Sequence, residues 1–398
     1  MTSNLPTLPA NWELKKLGDV VTEISSKVQA QQCQDLPYIS LENIESQTGK
    51  LLNVSTAKES NVIGTCSKFT KDTVIYSKLR PYLNKVAIPD FAGVGTTELI
   101  VFHPKDNLDK IFLANFLRSE SVVSIINASS YGAKMPRTSS KFLKELEIPL
   151  PPLDEQKRLV SLLDTLFAKI DRSIELLEEN ITAADALLPS ALNTVFAVEI
   201  VQEWEKYQFD KISKFIDYRG KTPTKTENGT ILITAKNVRF GYLSDEPKEY
   251  IADADYEGWM TRGIPNQGDV IFTTEAPLGN VAILNTNEKR AFAQRVVTFQ
   301  SINDVYDSNF LYWYMLSPIF QKELYDSATG TTVKGIKTSI LKKFKIPLPP
   351  LDIQAETVAY LDSIRTKVEI LKQVQNDKIA NLKALKASIL DRAFKGEL

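Results

Sequence analysis

The stretch Ser77-Lys78-Leu79-Arg80-Pro81-Tyr82-Leu83-Asn84-Lys85 sets three cations, an aromatic ring and a carboxamide in one short segment stiffened by proline. Cations meet phosphate oxygens, while guanidinium, phenol and carboxamide groups carry donors and acceptors for base edges. Two glycine-containing loops have a related make-up. Ser129–Arg137 holds Tyr131, Lys134 and Arg137, and Thr329–Lys337 holds Thr331, Lys334 and Lys337. The second half adds Arg219 and Lys221 in Asp217–Thr222, and Lys236, Asn237 and Arg239 in Lys236–Arg239. As groups, these loops have the composition of nucleic-acid contacts.

Catalytic alternatives fail on spacing. Gly220-Lys221-Thr222 would need a glycine five positions before Gly220 to cradle a nucleotide phosphate, and Phe215 stands there. Pro89-Asp90 with Glu98 resembles a nuclease centre, but Ile100 occupies the position that requires lysine. The Pro-Pro pairs are followed by leucine, not by the aromatic residue of an amino-methyltransferase tetrapeptide. A histidine-based metal site or nucleophilic triad would rest on the single histidine, His103, which closes a strand-like run. Cys33 and Cys66 form no CxxC pair and are expected to be reduced thiols. No catalytic residue, cofactor site or metal site is therefore expected in this chain.

A net charge of −1 over 398 residues argues against a protein that holds nucleic acid by bulk charge. Residues 1–150 carry 17 Lys+Arg against 15 Asp+Glu, and residues 201–350 carry 19 against 18. Residues 151–200 are acidic, at 4 against 9. Contact must come from local clusters or from a partner. No apolar run approaches the roughly 18–20 residues of a membrane helix, and the polar, proline-containing start predicts no secretory signal.

The elements that would carry these loops occur twice. Ile148-Pro149-Leu150-Pro151-Pro152-Leu153-Asp154 recurs as Ile346-Pro347-Leu348-Pro349-Pro350-Leu351-Asp352, an offset of 198 residues. The offset holds forward through Gln156/Gln354, Leu192/Leu390 and Phe196/Phe394, and backward to Phe112/Phe310 and Gly132/Gly330. Upstream the match needs small gaps, yet Ile39–Ile44 still answers Ile233–Val238. Before each proline string lie β-branched runs (Thr73–Tyr76, Thr96–Phe102; Val270–Thr273, Arg295–Phe299) and helical stretches near 108–127 and 307–327. This mixture predicts an α+β domain.

After each string the period changes to three and four. Leu163, Leu166, Ile170, Ile174, Leu177 and Ile181 predict one coiled-coil-like seam, and Leu361, Ile364, Val368, Leu371, Ile379 and Leu382 predict the other. About 35 residues of helix span some 50 Å. A stripe of this kind needs a partner, and the other copy in the chain is the nearest. The expected fold is thus α+β: two α/β domains in pseudo-two-fold repeat, separated by two long antiparallel helices. The boundaries are 1–150, 151–200, 201–348 and 349–398. Pro189, where the second copy has Ala387, should kink or end the first helix.

The string Ile148–Gln156, opening a long helix and present twice, resembles the conserved-region signature of type I restriction-modification specificity subunits. The second copy departs from it only at Ile353, where the first has Glu155. Asp72–Lys85, Thr273–Asn280 and Gly330–Lys337 also resemble that family's target-recognition domains, which adds Thr274 and Asn280 to the candidate contacts. The resemblance covers essentially the whole chain. It implies a non-catalytic, cytoplasmic subunit whose two domains each read half of a split double-stranded DNA site, with the helices as a ruler. It further implies two modification subunits that methylate adenine with S-adenosylmethionine, and restriction subunits that use ATP and Mg for translocation and cleavage. The competing reading is a duplicated coiled-coil adaptor whose domains bind protein.

Overall fold

The computed structural model describes residues 8–132, 134–220, 222–293 and 295–398. Two compact units emerge: Met1–Leu177 with Asn376–Leu398, and Glu178–Gln375. The division falls inside the long helices. Each unit therefore combines a globular domain from one half of the sequence with a helix end from the other half.

In the first unit the buried strand Val74–Ser77 pairs antiparallel with Leu99–Pro104, Leu99 opposite Ser77 and Phe102 opposite Val74. Val21–Glu23 and Val86–Ala87 complete this four-stranded sheet. A five-stranded sheet adjoins it, with one parallel pair between Pro37–Ile39 and Gly93–Thr96. The second unit repeats the plan. Val270–Thr274 pairs with Val296–Ser301, flanked by Ser213–Asp217 and Leu278–Ile283. Its parallel pair is Thr230–Ile233 with Arg290–Phe292. Valine, isoleucine and aromatic residues at these positions fit pleated, buried strands.

Each domain helix is two helices. The chain runs Lys110–Arg118 and Glu120–Ala128 in the first unit, and Ser308–Leu316 and Pro318–Asp326 in the second. The break comes at Ser119 and Ser317, both fully buried and extended, whose hydroxyls donate to the carbonyls of Phe116 and Tyr314. A serine that satisfies the preceding helix end stops the helix from continuing.

The proline string turns out to be half strand, half helix start. Glu147–Leu150 pairs with Glu13–Lys16, and Lys345–Leu348 with Glu205–Gln208. Gln156, fully buried, accepts from the Asp109 amide at 2.8 Å and donates to the carbonyls of Asn107 and Pro151 at 2.9 Å. Gln354 accepts from the Asp307 amide at 2.9 Å and donates to Pro349 at 2.8 Å. Asp109 and Asp307 in turn cap the helices Lys110–Arg118 and Ser308–Leu316. One glutamine therefore locks the start of each long helix to the cap of a domain helix.

The first long helix spans Leu153–Asp185 and the second Leu351–Phe394. The first ends earlier than proline placement alone suggests, and helix resumes at Leu187–Val195. Pro189 has no N–H to give the carbonyl of Asp185, so the interruption falls just before it. In the first unit Asp171 pairs with Lys386 at 2.7 Å, and Arg158 donates to the Leu398 carbonyl. In the second, Asp185 pairs with Lys372 at 2.5 Å. Within the first unit the residue numbers of both contacts sum nearly alike, which marks the two helix segments there as antiparallel.

Along the seam Leu163, Ile170, Leu361 and Ile379 are buried, and Leu166, Ile174, Leu177, Ile181, Ile364, Val368 and Leu382 are half-buried. Leu371 does not join them. It is 37% exposed, and Gln375 takes the buried position instead. A 3.5-residue stripe drifts about 20° per heptad on a straight helix, enough to carry Leu371 off the seam. The helical stretch Leu153–Glu203 also contains an 18-residue window of mean hydropathy 1.4, long and apolar enough by composition to cross a membrane. This exceeds the expectation from runs of apolar residues, because alanine and leucine fill the segment around Pro189. Ala191, Leu192, Phe196 and Val201 from it are buried in the core of the second unit.

The helix ends complete the domain cores. Phe394 lies edge-on to Phe112 (4.9 Å) and Phe116 (5.5 Å) in the first unit. Phe196 lies edge-on to Phe310 (5.8 Å) and Tyr314 (5.6 Å) in the second. Phe394→Ala should destabilise the first unit by about 3–5 kcal/mol, and Phe196→Ala the second by a similar amount. Denaturant unfolding followed by hydrogen exchange in each unit checks this. Equal loss of protection in both units from either change would contradict the separate cores.

Candidate nucleic-acid interface

At one end of the main sheet in each unit, three chain segments are tied by the same backbone bonds. In the first unit the Lys78 amide donates to Glu98 (3.0 Å), the Thr138 amide to Lys78 (2.9 Å), and Tyr131 and Arg137 exchange bonds at 3.0 and 2.8 Å. In the second, the Thr274 amide donates to Arg295 (2.9 Å), the Ile336 amide to Thr274 (2.9 Å), and Thr329 and Gly335 exchange bonds at 2.9 Å. Isolated bridges Leu79–Arg137 and Glu275–Gly335 complete the match. Gly132 and Gly330 turn the small hairpins at φ +98° and +104°. A Cβ on Gly330 would meet the Val333 carbonyl oxygen at 2.1 Å, so only glycine fits.

The loop Ser77–Lys85 divides into residues that face out and residues that brace. Arg80 and Tyr82 are exposed, Tyr82 by 45%. Arg80 holds a left-handed φ of 52°, pinned by its amide bond to Pro136 at 2.7 Å. Asn84 is buried, and its carboxamide donates to Gln47 and the Arg118 carbonyl, both at 2.9 Å. Lys78 reaches back to the Thr97 carbonyl at 2.8 Å, and Lys85 to Leu41 at 2.5 Å. Asn84 is spent on the loop's own support, contrary to the sequence expectation, while Lys78 and Lys85 are half-buried and bond carbonyls of that support, Lys78 lining the same cavity as Glu98, Tyr131 and Arg137. Tyr131 (62% exposed) and Lys134 stand out from the second loop, while Arg137 is half-buried beside Glu98 at 3.4 Å.

In the second unit Thr331, Lys334 and Lys337 are exposed on the hairpin and its exit. Thr274 and Asn237 are almost wholly buried, which corrects their assignment as contacts. Thr274 bonds the Arg295 carbonyl. Asn237 accepts from the Thr234 amide and donates to Ser244 and Pro247. Asn43 closes the corresponding turn in the first unit, accepting from Ser40 and donating to Leu52 and Asn53, so this repeated asparagine is a turn brace. Asn280 is also committed, to Val238 at 2.8 Å.

Arg219 is clamped by Asp217 through bonds of 2.9, 3.1 and 2.8 Å, and Thr338 donates to the same carboxylate. Burial pushes the Asp217 carboxyl up, but the Arg219 guanidinium and the Thr338 hydroxyl more than offset this and hold it below the usual range. Lys236 is exposed beside Glu249 at 3.6 Å, and Arg239 is exposed. Lys221 lies outside the described residues.

Glu98, Glu275 and Arg295 also stand at this end of the sheets, although none of them is among the contacts expected from sequence. Arg295 pairs with Glu275 at 3.0 Å. Aligning the two strands that end at Phe102 and Phe299 would have set Glu98 against Arg295. Among the described residues no group of three His, Cys, Asp or Glu is placed to hold a metal ion.

The model of the type I restriction modification DNA specificity domain matches residues 9–182 and again 201–380. The MjaVIII specificity subunit of a type I restriction enzyme from Methanocaldococcus jannaschii is 25% identical, over 94% of this chain and 91% of its own length. The EcoDI specificity subunit from Escherichia coli is 30% identical over 52% of this chain and 47% of its own. Two solved structures share the fold. One is a chain from a type I R-M system studied for complex assembly and conformational transition, with TM-score 0.78, 24% identity and coverage of 98% of this chain and 100% of that one. The other is the HsdS subunit from Thermoanaerobacter tengcongensis, with TM-score 0.66, 23% identity and full coverage of both chains. These matches do not favour the adaptor reading. With two matched copies, one to each half of its sequence, the chain belongs to the type I restriction-modification DNA specificity family, whose members recognise DNA targets and are not themselves catalysts.

Proposed function

We propose that each unit reads one half of a bipartite double-stranded DNA target. Residues 1–150 and 201–348 serve as the two target-recognition domains, and 151–200 and 349–398 as helical spacers. The chain works in the cytoplasm and directs two modification subunits, docked on the helices, to methylate adenine. S-adenosylmethionine belongs to those partners, and ATP and Mg to restriction subunits that join them.

The observation that carries this reading is the three-segment head. Its backbone bonds repeat one for one between the units, while its side chains differ: Arg137 against Gly335, Glu98 against Arg295, Leu79 against Glu275. A scaffold that bound one protein twice would keep the contacting side chains. Two readers of different half-sites keep the frame and change the side chains, because base edges differ and the duplex backbone does not.

Base-resolution mapping of methylation in cells expressing this chain with a modification subunit should give one split motif, modified on both strands and lost without this chain. Absence of any motif, with both proteins folded and associated, overturns the proposal. Replacing residues 1–150 with another recognition domain should change one half-site only. Arg80→Ala with Lys134→Ala should weaken binding about equally on all sequences and reduce the salt slope of binding by about 1.8, for two lost phosphate contacts.

A further inference from the structure

Both heads carry a carboxylate–guanidinium couple that shares one position with the charge reversed. Glu98 and Arg295 occupy equivalent sites, since each backbone carbonyl takes the amide of the matching residue, Lys78 or Thr274. In the first unit the acid sits there and its partner Arg137 comes from the hairpin, at 3.4 Å. In the second the base sits there, and its partner Glu275 comes from the end of the central strand, at 3.0 Å. The side chains are 37% and 27% exposed in the first couple, and 50% and 47% in the second.

An ion pair this accessible contributes only about 0–1 kcal/mol to folding, so it can be opened at small cost. A carboxylate beside a phosphate chain is repelled unless it meets a donor. The donors a duplex offers in its major groove are the amino groups of cytosine and adenine, and the guanidinium fork matches guanine O6 and N7. A carboxylate there also rejects sites that present only acceptors, which sharpens selection.

On the reading that these heads contact DNA, we propose that Glu98–Arg137 and Glu275–Arg295 are the base-discriminating couples, one for each half-site. The carboxylate accepts from an amino group of cytosine or adenine and the guanidinium donates to guanine. Each couple is held ready by its internal pair until the duplex replaces it.

The test uses the full chain with its modification subunit, scoring methylation across a plasmid library in which the target is randomised. Glu98→Gln should relax one position of one half-site by about ten- to a hundredfold and leave the other half-site intact. Glu275→Gln should do the same in the opposite half. Glu98→Arg combined with Arg137→Glu keeps an ion pair but reverses its polarity. It should shift the preferred base at that position, whereas a pair that merely braces the loop would tolerate the exchange. An unchanged motif in both the Gln variants and the exchange overturns the couples and leaves the bipartite reading standing. A uniform fall in methylation with no change in base preference overturns them likewise. If the unaltered chain yields no bipartite motif, the underlying reading fails and the couples fall with it.

Discussion

An amphipathic helix cannot keep its apolar stripe in water, and a small α/β domain cannot close its core without one more layer. The seats of Phe394 between Phe112 and Phe116, and of Phe196 between Phe310 and Tyr314, meet both needs. Edge-on aromatic pairs add about 0.5–1.5 kcal/mol to the burial of a large ring. Because each ring arrives from the other half of the sequence, neither domain completes its core from its own half alone. The repeat is therefore structural as well as sequential.

The second constraint is direction. Gln156 and Gln354 bond the loops that lead into the capped domain helices, so each long helix leaves its domain along a set line. Two or three bonds from a buried carboxamide are costly to break, since each unsatisfied group would carry its desolvation penalty. Within each unit one ion pair, Lys386 with Asp171 or Lys372 with Asp185, then fixes how its two helix segments meet. They add little energy at the surface but exclude alternatives that would set like charges together.

The heads show how a near-neutral domain can be equipped for an anionic ligand. Several polar side chains that looked like contacts are spent on the frame: Asn84, Asn237, Thr274 and Asn280, with Lys78 and Lys85 half-buried and bonded to its carbonyls. The groups left facing outward are fewer, among them Arg80, Tyr82, Tyr131, Lys134, Lys334 and Lys337. Bracing and presentation are the same investment in physical terms, because a loop whose carbonyls are satisfied holds its outward side chains in place.

Sequence alone determined the duplication, the α+β mixture and the long helices, because an identical string at constant offset and a change of period are properties of residue order. The family was legible only through the resemblance of Ile148–Gln156 to a known signature. Sequence also marked Ser77–Lys85 and the hairpins at Gly132 and Gly330 as turns, since glycine and proline mark turns wherever they occur, but not the segments of Glu98 and Arg295 that complete each head. It did not determine which side chains in those loops face outward, nor that Leu371 leaves the seam, nor that Ser119 and Ser317 break the domain helices. Those depend on which carbonyl needs a donor and which face meets a neighbour, and such facts exist only after distant segments have packed. The couples of Glu98 with Arg137 and Glu275 with Arg295 are of that kind. Their members stand 39 and 20 positions apart in the chain, and only the meeting of strand ends and hairpin brings opposite charges within reach.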